Sequence, residues 1–298
     1  MEKKENEQKI LYKDLPEWKD VTPLPLPQVE GDAFYINYTP EYVDLFGYFL
    51  ALVEKNEISE RGIQIAERVI ELYPSHYTAW EYKFRILGKL SYDFDNEIRK
   101  IDTILEGSPK SYQAWHFRQW LVDKCNEVPD QIPFLKKILD IDTKNFHAWN
   151  FAIWYATRWN KANDIYNIAK AEIERDVRNN SAWNARMTIG NLIHVDPIQE
   201  FEDAVSTLKI VSKNEAVCNF AVAICEKVPS LLSRLRDVAN EIIERKPENY
   251  FAYRLLLYVA SKEENKEEIS RLCDKLMELD PVRLPFYSLV KSGKIKYQ

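Results

Sequence analysis

Apolar residues recur with a helical period along nearly the whole chain. From Thr39 to Val53 the side chains of Tyr42, Leu45, Phe46, Phe49 and Leu50 fall at i, i+3, i+4, i+7 and i+8. From Ser59 to Leu72 the pattern returns with Ile63, Ile65, Ala66, Val69, Ile70 and Leu72. Such spacing gathers the apolar side chains into one stripe, so it predicts two amphipathic helices, the first opening at Thr39-Pro40 and the second ending at Tyr73-Pro74.

Beyond Pro74 the pattern becomes a repeat. Ser75-His76-Tyr77-Thr78-Ala79-Trp80 is echoed by Lys110-Ser111-Tyr112-Gln113-Ala114-Trp115, Lys144-Asn145-Phe146-His147-Ala148-Trp149 and Arg178-Asn179-Asn180-Ser181-Ala182-Trp183. The anchoring tryptophans lie 35, 34 and 34 residues apart, and further periods reach Cys218 and Tyr253, where the register survives without the indole. Four positions before the anchors stand Ser111, Asn145, Asn179, Asn214 and Asn249, with His76 in that slot of the first repeat and Ser75 beside it. Serine and asparagine there accept from the orphan amides of a first helical turn, so each anchor opens a new helix. Pro74, Pro109 and Pro247, six positions before an anchor, close the helix before it. Second helices follow at Asp95–Glu106, Ile132–Ile141, Ile165–Asp176, Ile198–Val211, Leu231–Arg245 and Lys266–Leu279. A last period lands on Tyr287, where Pro285 speaks against a helix interior and predicts a terminating half-repeat.

Residues 1 to 38 lack this period. Tyr12, Asp14 and Trp18 are followed by Pro23, Pro25 and Pro27, which reads as an extended, partly disordered arm whose Trp18, Leu24 and Leu26 lie on a surface. Residues 39–298 read as one helical-repeat domain, because units of 20 to 50 residues bury one another's apolar faces in a single array. Only 7 glycines among 298 residues, with 30% charged side chains, suit long helices.

Composition then excludes several functions. A net charge of −6, from 41 basic and 47 acidic residues, argues against nucleic acid as a main partner. Met1 to Glu7 has no apolar core of a secretory signal, and no apolar run approaches the roughly 18 residues of a membrane span. The expectation is a soluble, cytoplasmic protein without stable membrane insertion. Cys125, Cys218, Cys225 and Cys273, with His76, His116, His147 and His194, form no metal-ligand pattern, and the thiols are expected free.

A 34-residue helical pair first suggests a tetratricopeptide scaffold that holds peptides, but its Trp-x-x-Leu-Gly signature is absent: Arg118 and Arg186 stand three residues after Trp115 and Trp183, and Lys83 after Trp80. A Trp-x-x-Arg repeat behind an asparagine or serine cap resembles the α subunit of the protein prenyltransferases. The likeness takes in Tyr12, Asp14 and Trp18 of the arm, Ser59-Glu60-Arg61 and the five to six repeats, and is most specific at Pro109–Trp115 and Asp176–Asn184. It is nearest to the subunit shared by protein farnesyltransferase and protein geranylgeranyltransferase type I, with the α subunit of the Rab-directed geranylgeranyltransferase as an alternative.

The resemblance implies an all-α crescent, a right-handed superhelical array of helical hairpins, wrapped around a β subunit that holds zinc and most of the prenyl pocket. The heterodimer transfers farnesyl or geranylgeranyl from the diphosphate to the cysteine of a CaaX-terminated protein. Whether farnesyl transfer also draws on magnesium stays open. By the same resemblance, Lys110 meets the isoprenoid diphosphate as the catalytic cation, Tyr112 stands beside it, Gln113 meets the CaaX carboxylate and His147 lies near the diphosphate. Phe146 departs from the family's tyrosine, Ala152 occupies an arginine slot and Cys218 replaces an anchor tryptophan. The residues themselves add that all four candidates sit where a loop enters a helix, on one rim with Gln113 and His147 at neighbouring positions, where amides and the positive dipole end favour anions. The tryptophans Trp80, Trp115, Trp149 and Trp183, and Trp120 and Trp154 five positions after an anchor, read as packing. So do His116, His194, Arg118 and Arg186.

Overall fold

The computed structural model describes residues 11–26 and 36–297, and the disorder expected for the first ten residues lies outside them. Every regular element among the described residues is helical. The chain falls into two compact units, residues 1–134 and 135–298.

In the first unit, α1 (Pro40–Glu54) packs on α2 (Glu60–Leu72), α2 on α3 (Tyr77–Leu87), and α4 (Phe94–Gly107) on α5 (Tyr112–Asp123), with α3 beside α5. The boundary between the units falls within α6 (Ile132–Ile141). The second unit continues with α7 (Phe146–Arg158), α8 (Ala162–Arg175), α9 (Asn180–Leu192), α10 (Pro197–Ile210) and α11 (Glu215–Lys227). It ends with α12 (Leu232–Arg245), α13 (Tyr250–Lys262), α14 (Lys266–Leu279) and α15 (Leu284–Lys291). Within it the anchor helices α7, α9, α11 and α13 stand in a row, and α10 and α12 neighbour each other in a second layer.

The arm is part of the first unit. Two short 3-10 turns, Tyr12–Asp14 and Pro16–Trp18, bury the Trp18 indole edge-on against Tyr12 and Tyr48, with ring centroids 4.8 and 5.5 Å away. Arg61 of α2 grips the arm with two 2.8 Å bonds to Asp20 and one of 2.9 Å to the Glu17 carbonyl. The Leu24 N–H donates to the Gly47 carbonyl at 3.0 Å, and a Cβ on Gly47 would meet the Leu24 carbonyl oxygen and Pro23 at 3.0 Å, so any larger residue would push the arm back by a few tenths of an ångström.

The six anchor helices start where the caps place them. Ser111, Asn145, Asn179, Asn214 and Asn249 each accept a first-turn N–H through the side chain. In the first repeat the cap is His76 itself, whose Nδ1 accepts from the Ala79 N–H at 3.2 Å, and not the adjacent Ser75. A second device recurs: the indole N–H groups of Trp80, Trp115, Trp149 and Trp183 donate to the carbonyls of Pro74, Pro109, Thr143 and Val177 at 2.8 to 3.0 Å. The carbonyl six positions before each tryptophan is thereby tied under its ring, and the loop enters the helix at a set angle.

Two expectations change. The α8 helix starts at Ala162, three residues early, because Asn160 takes the left-handed conformation at φ 53° and ends the α7 turn at once. Pro285 lies in the first turn of α15, where a missing N–H leaves no helical bond unmade, so a helix does form around the fully buried Tyr287.

Candidate functional site

The site starts from a hook. The Ser111 N–H donates to the Ser108 carbonyl at 3.1 Å, the Ser111 hydroxyl accepts from the Ala114 N–H at 3.3 Å, and the Pro109 carbonyl takes the Trp115 indole N–H at 2.9 Å. These three bonds fix residues 108–115 from both sides. They leave Lys110 exposed on the turn, and set Tyr112, 67% exposed, and Gln113 in the first turn of α5. The Gln113 carboxamide donates to the Ser75 carbonyl at 3.4 Å, which joins the start of α5 to the loop before α3. The structure thus brings Lys110, Tyr112 and Gln113 together on one helix start, where the dipole favours an anion.

From Tyr112 and Gln113 a groove of about 890 Å³ runs along α3 and α5. Its walls are the rings of Tyr77, Phe84, Tyr92, His116 and Trp120, with Glu81, Arg85 and Lys124 at its edges. Trp120 is therefore not simply a packing residue: it stacks on Phe117 and Tyr92 at 5.9 Å and turns its remaining surface to the groove. His116, likewise exposed, lines the same wall. Sequence reasoning also passed over Tyr77, 73% exposed at the register that Tyr112 occupies one repeat later. The signal for it was available in the aromatic series Tyr77, Tyr112 and Phe146, three positions before successive anchors.

His147 belongs to the second unit, in the first turn of α7 behind the Asn145 cap. It is half-buried, with the Phe146 ring edge-on at 5.6 Å, and burial holds its pKa below the usual histidine value. The imidazole is neutral at pH 7 and offers one N–H donor. The basic slot of Lys110 is also filled in this unit, by Lys144 and Lys213, which face Asp176 at 3.2 Å and Glu248 at 4.0 Å.

The cations three residues after the anchors are structural, as expected of Arg118 and Arg186. Arg186 pairs with Glu200 at 2.7 Å and Asp203 at 2.6 Å, and the Tyr166 hydroxyl donates to the same Glu200 at 2.5 Å. Arg118 pairs with Asp102 and lies over the Phe134 ring, 3.3 Å from its centroid, where burial pushes its pKa down to about 10. Lys83 reaches Glu67 at 2.8 Å and Glu97 at 2.6 Å, so all three tie an anchor helix to a neighbour. Among the described residues no three His, Cys, Asp or Glu side chains are grouped to hold a metal ion. No described helix is long and apolar enough to cross a membrane.

Residues 59–90 and 94–125 match the family model described as the protein prenyltransferase alpha subunit repeat. That frame closes on the anchor helix, pairing α2 with α3 and α4 with α5, whereas the pattern of caps suggested pairs that begin with it. The chain is 38% identical over 106 residues to the protein farnesyltransferase/geranylgeranyltransferase type-1 subunit alpha of Schizosaccharomyces pombe, a span covering 36% of each chain. It is 33% identical over 113 residues to the protein of the same name from Candida albicans, covering 38% of this chain and 37% of that one. These matches take in little more than a third of the relatives' length. Among solved structures, Candida albicans protein geranylgeranyltransferase-I complexed with GGPP superposes with a TM-score of 0.82 at 25% identity, over 93% of this chain and 98% of the matched one.

Proposed function

We propose that the chain is a member of the protein prenyltransferase α-subunit family and the α subunit of a heterodimeric CaaX prenyltransferase, acting with a β subunit in farnesyl or type I geranylgeranyl transfer. The observation that carries this reading is the hook at residues 108–115, inside a matched family repeat, which presents Lys110, Tyr112 and Gln113 together at the start of α5.

Prenyl transfer breaks the bond between the allylic carbon and the diphosphate oxygen while the substrate sulfur forms the new bond to that carbon. Negative charge accumulates on the departing diphosphate. The Lys110 ammonium meets it there, stabilising the transition state more than the bound ground state. Tyr112 adds a phenol O–H from the same turn; His147, in the second unit, is by itself a neutral N–H donor because burial holds its pKa down. Gln113 turns its carboxamide N–H from the long bond to Ser75 toward the CaaX carboxylate. Activation of the substrate cysteine as a thiolate is the chemistry that zinc held by the β subunit supplies. The thiols of Cys125, Cys218, Cys225 and Cys273 are all free, in keeping with work in the reducing cytoplasm.

The test is co-expression with a farnesyltransferase or a type I geranylgeranyltransferase β subunit, followed by transfer from each diphosphate to a CaaX peptide. Activity is expected only in the heterodimer. Lys110→Ala should lower kcat about 100-fold, the usual size of the loss when one oxyanion donor goes. A folded heterodimer inactive with both diphosphates would sink the function, and wild-type turnover after Lys110→Ala would remove Lys110 from the chemistry.

A further inference from the structure

Residues 281 to 297 carry Arg283, Lys291, Lys294 and Lys296 and neither Asp nor Glu, in a chain where acidic residues outnumber basic ones. The same stretch leaves apolar side chains in water. Val282 is 87% exposed, and Phe286 and Leu289 are 39% and 40% exposed. Phe286 and Leu289, three apart in α15, share one face of that helix, and Val282 stands in the 3-10 turn Pro281–Arg283 just before it. Arg283 and Lys291 are neutralised locally by Asp280 and Asp274, while Lys294 and Lys296 lie exposed beyond α15. Beside them opens a cavity of about 650 Å³, lined by Val290, Ile295 and Tyr297 and bordered by Lys266 and Lys296, with Glu264 the acidic residue on its wall. The Phe286 ring lies 5.9 Å from that of Tyr297, so the exposed apolar face and the cavity are continuous.

A basic and apolar surface can meet either a protein or a lipid. The cations left exposed here are lysines, point charges depleted from protein interfaces, where arginine forks predominate. Lysines that hold their ammonium groups in the polar layer beside apolar side chains at the acyl boundary are instead the pattern of an interfacial segment. We propose that this end of the second unit docks on a membrane surface rich in anionic phospholipid. Lys266, Lys294 and Lys296 face the headgroups, and Val282, Phe286 and Leu289 enter the boundary. The distant part of the net charge of −6 is screened beyond about 8 Å at physiological ionic strength. The near acids are Asp274 and Asp280, paired with Lys291 and Arg283, and Glu264 and Glu267 around Lys266, so Lys294 and Lys296 carry most of the attraction. The proposal is independent of the prenyltransferase reading.

The full chain is sedimented with phosphatidylcholine vesicles and with vesicles containing phosphatidylserine, at low and high salt. Binding is expected to the anionic vesicles alone and to weaken with salt. At about fivefold per lysine, Lys294→Gln with Lys296→Gln should cut the partition coefficient about 25-fold. Val282→Ser, with no charge altered, should weaken it too, and an unchanged circular dichroism melt shows that these variants fold. Equal binding to both vesicles, no binding, or a double variant that binds as wild type overturns the proposal. Capture of polyglutamate without vesicle binding overturns it in favour of an acidic protein partner.

Discussion

At the scale of single residues, one cap differs in kind from the rest. Ser111, Asn145, Asn179, Asn214 and Asn249 do not titrate, but His76 caps α3 through Nδ1, which accepts only while the ring is neutral. Burial lowers its pKa, opposed in small part by a backbone hydrogen bond, and the rings of Phe46 and Phe49 lie 5.3 and 5.6 Å from it. With the folded value below the unfolded value of about 6.5, the unfolded chain binds the proton first. The contribution is therefore complete above pH 6.5 and is lost as pH falls from there through the folded pKa. Urea unfolding of wild type and His76→Asn should agree within about 1 kcal/mol at pH 7.5, the worth of a cap. At pH 5 the wild type should have lost stability relative to the variant, and equal pH slopes would show that the cap does not titrate. His147, present in both proteins, shifts in the same direction and cancels.

At the scale of elements, the caps and the indoles share acceptors. Asn179 accepts from the Ala182 N–H through Oδ1, and its Nδ2 donates at 2.9 Å to the Thr143 carbonyl, which also takes the Trp149 indole. Asn214 repeats this at Val177 with the Trp183 indole, and Asn249 at Ser212, where Cys218 brings no indole. A serine can cap but cannot reach back, so the later repeats need an amide with a donor and an acceptor. Asn179→Ser should cost about 1 kcal/mol for the lost bond. Asn179→Asp keeps the acceptor but turns an oxygen on the Thr143 carbonyl, and should cost about 2 to 3 kcal/mol, both read as urea midpoints. A serine variant less stable than the aspartate would refute this. The helix starts were legible because serine, asparagine and proline act within one turn, and both Ile132–Ile141 and Lys266–Leu279 match their expected bounds. The second role of the same asparagines was not, since it depends on a carbonyl 36 or 37 residues away. Nor was the groove: Trp120 follows its anchor at a spacing that suits packing, and only the placement of α3 beside α5 leaves part of it uncovered.

At the scale of the whole molecule, the proposed chemistry needs more than this chain presents. The hook offers a cation, a phenol and an amide, but the described residues group no metal ligands, and the groove that begins at Tyr112 and Gln113 stands open to water. The role proposed for Lys110 rests on the resemblance alone, because a lysine on a turn carries no signal of its own in the sequence. In the proposed heterodimer, the aromatic groove of about 890 Å³ on the face that carries the hook is the surface the β subunit would cover. Anything that binds the folded chain and not the unfolded one stabilises it by mass action, about 2.7 kcal/mol when free partner is 100 times its Kd. The Tm of the chain should therefore climb with added β subunit. Trp120→Ser should shrink that gain at a fixed partner concentration; the gain is taken relative to each isolated chain, because the partly buried indole also packs on Phe84, Tyr92 and Phe117. A Tm indifferent to the β subunit would deny the heterodimer. A Tm that rises equally in wild type and Trp120→Ser would move the contact off the groove and leave the heterodimer standing.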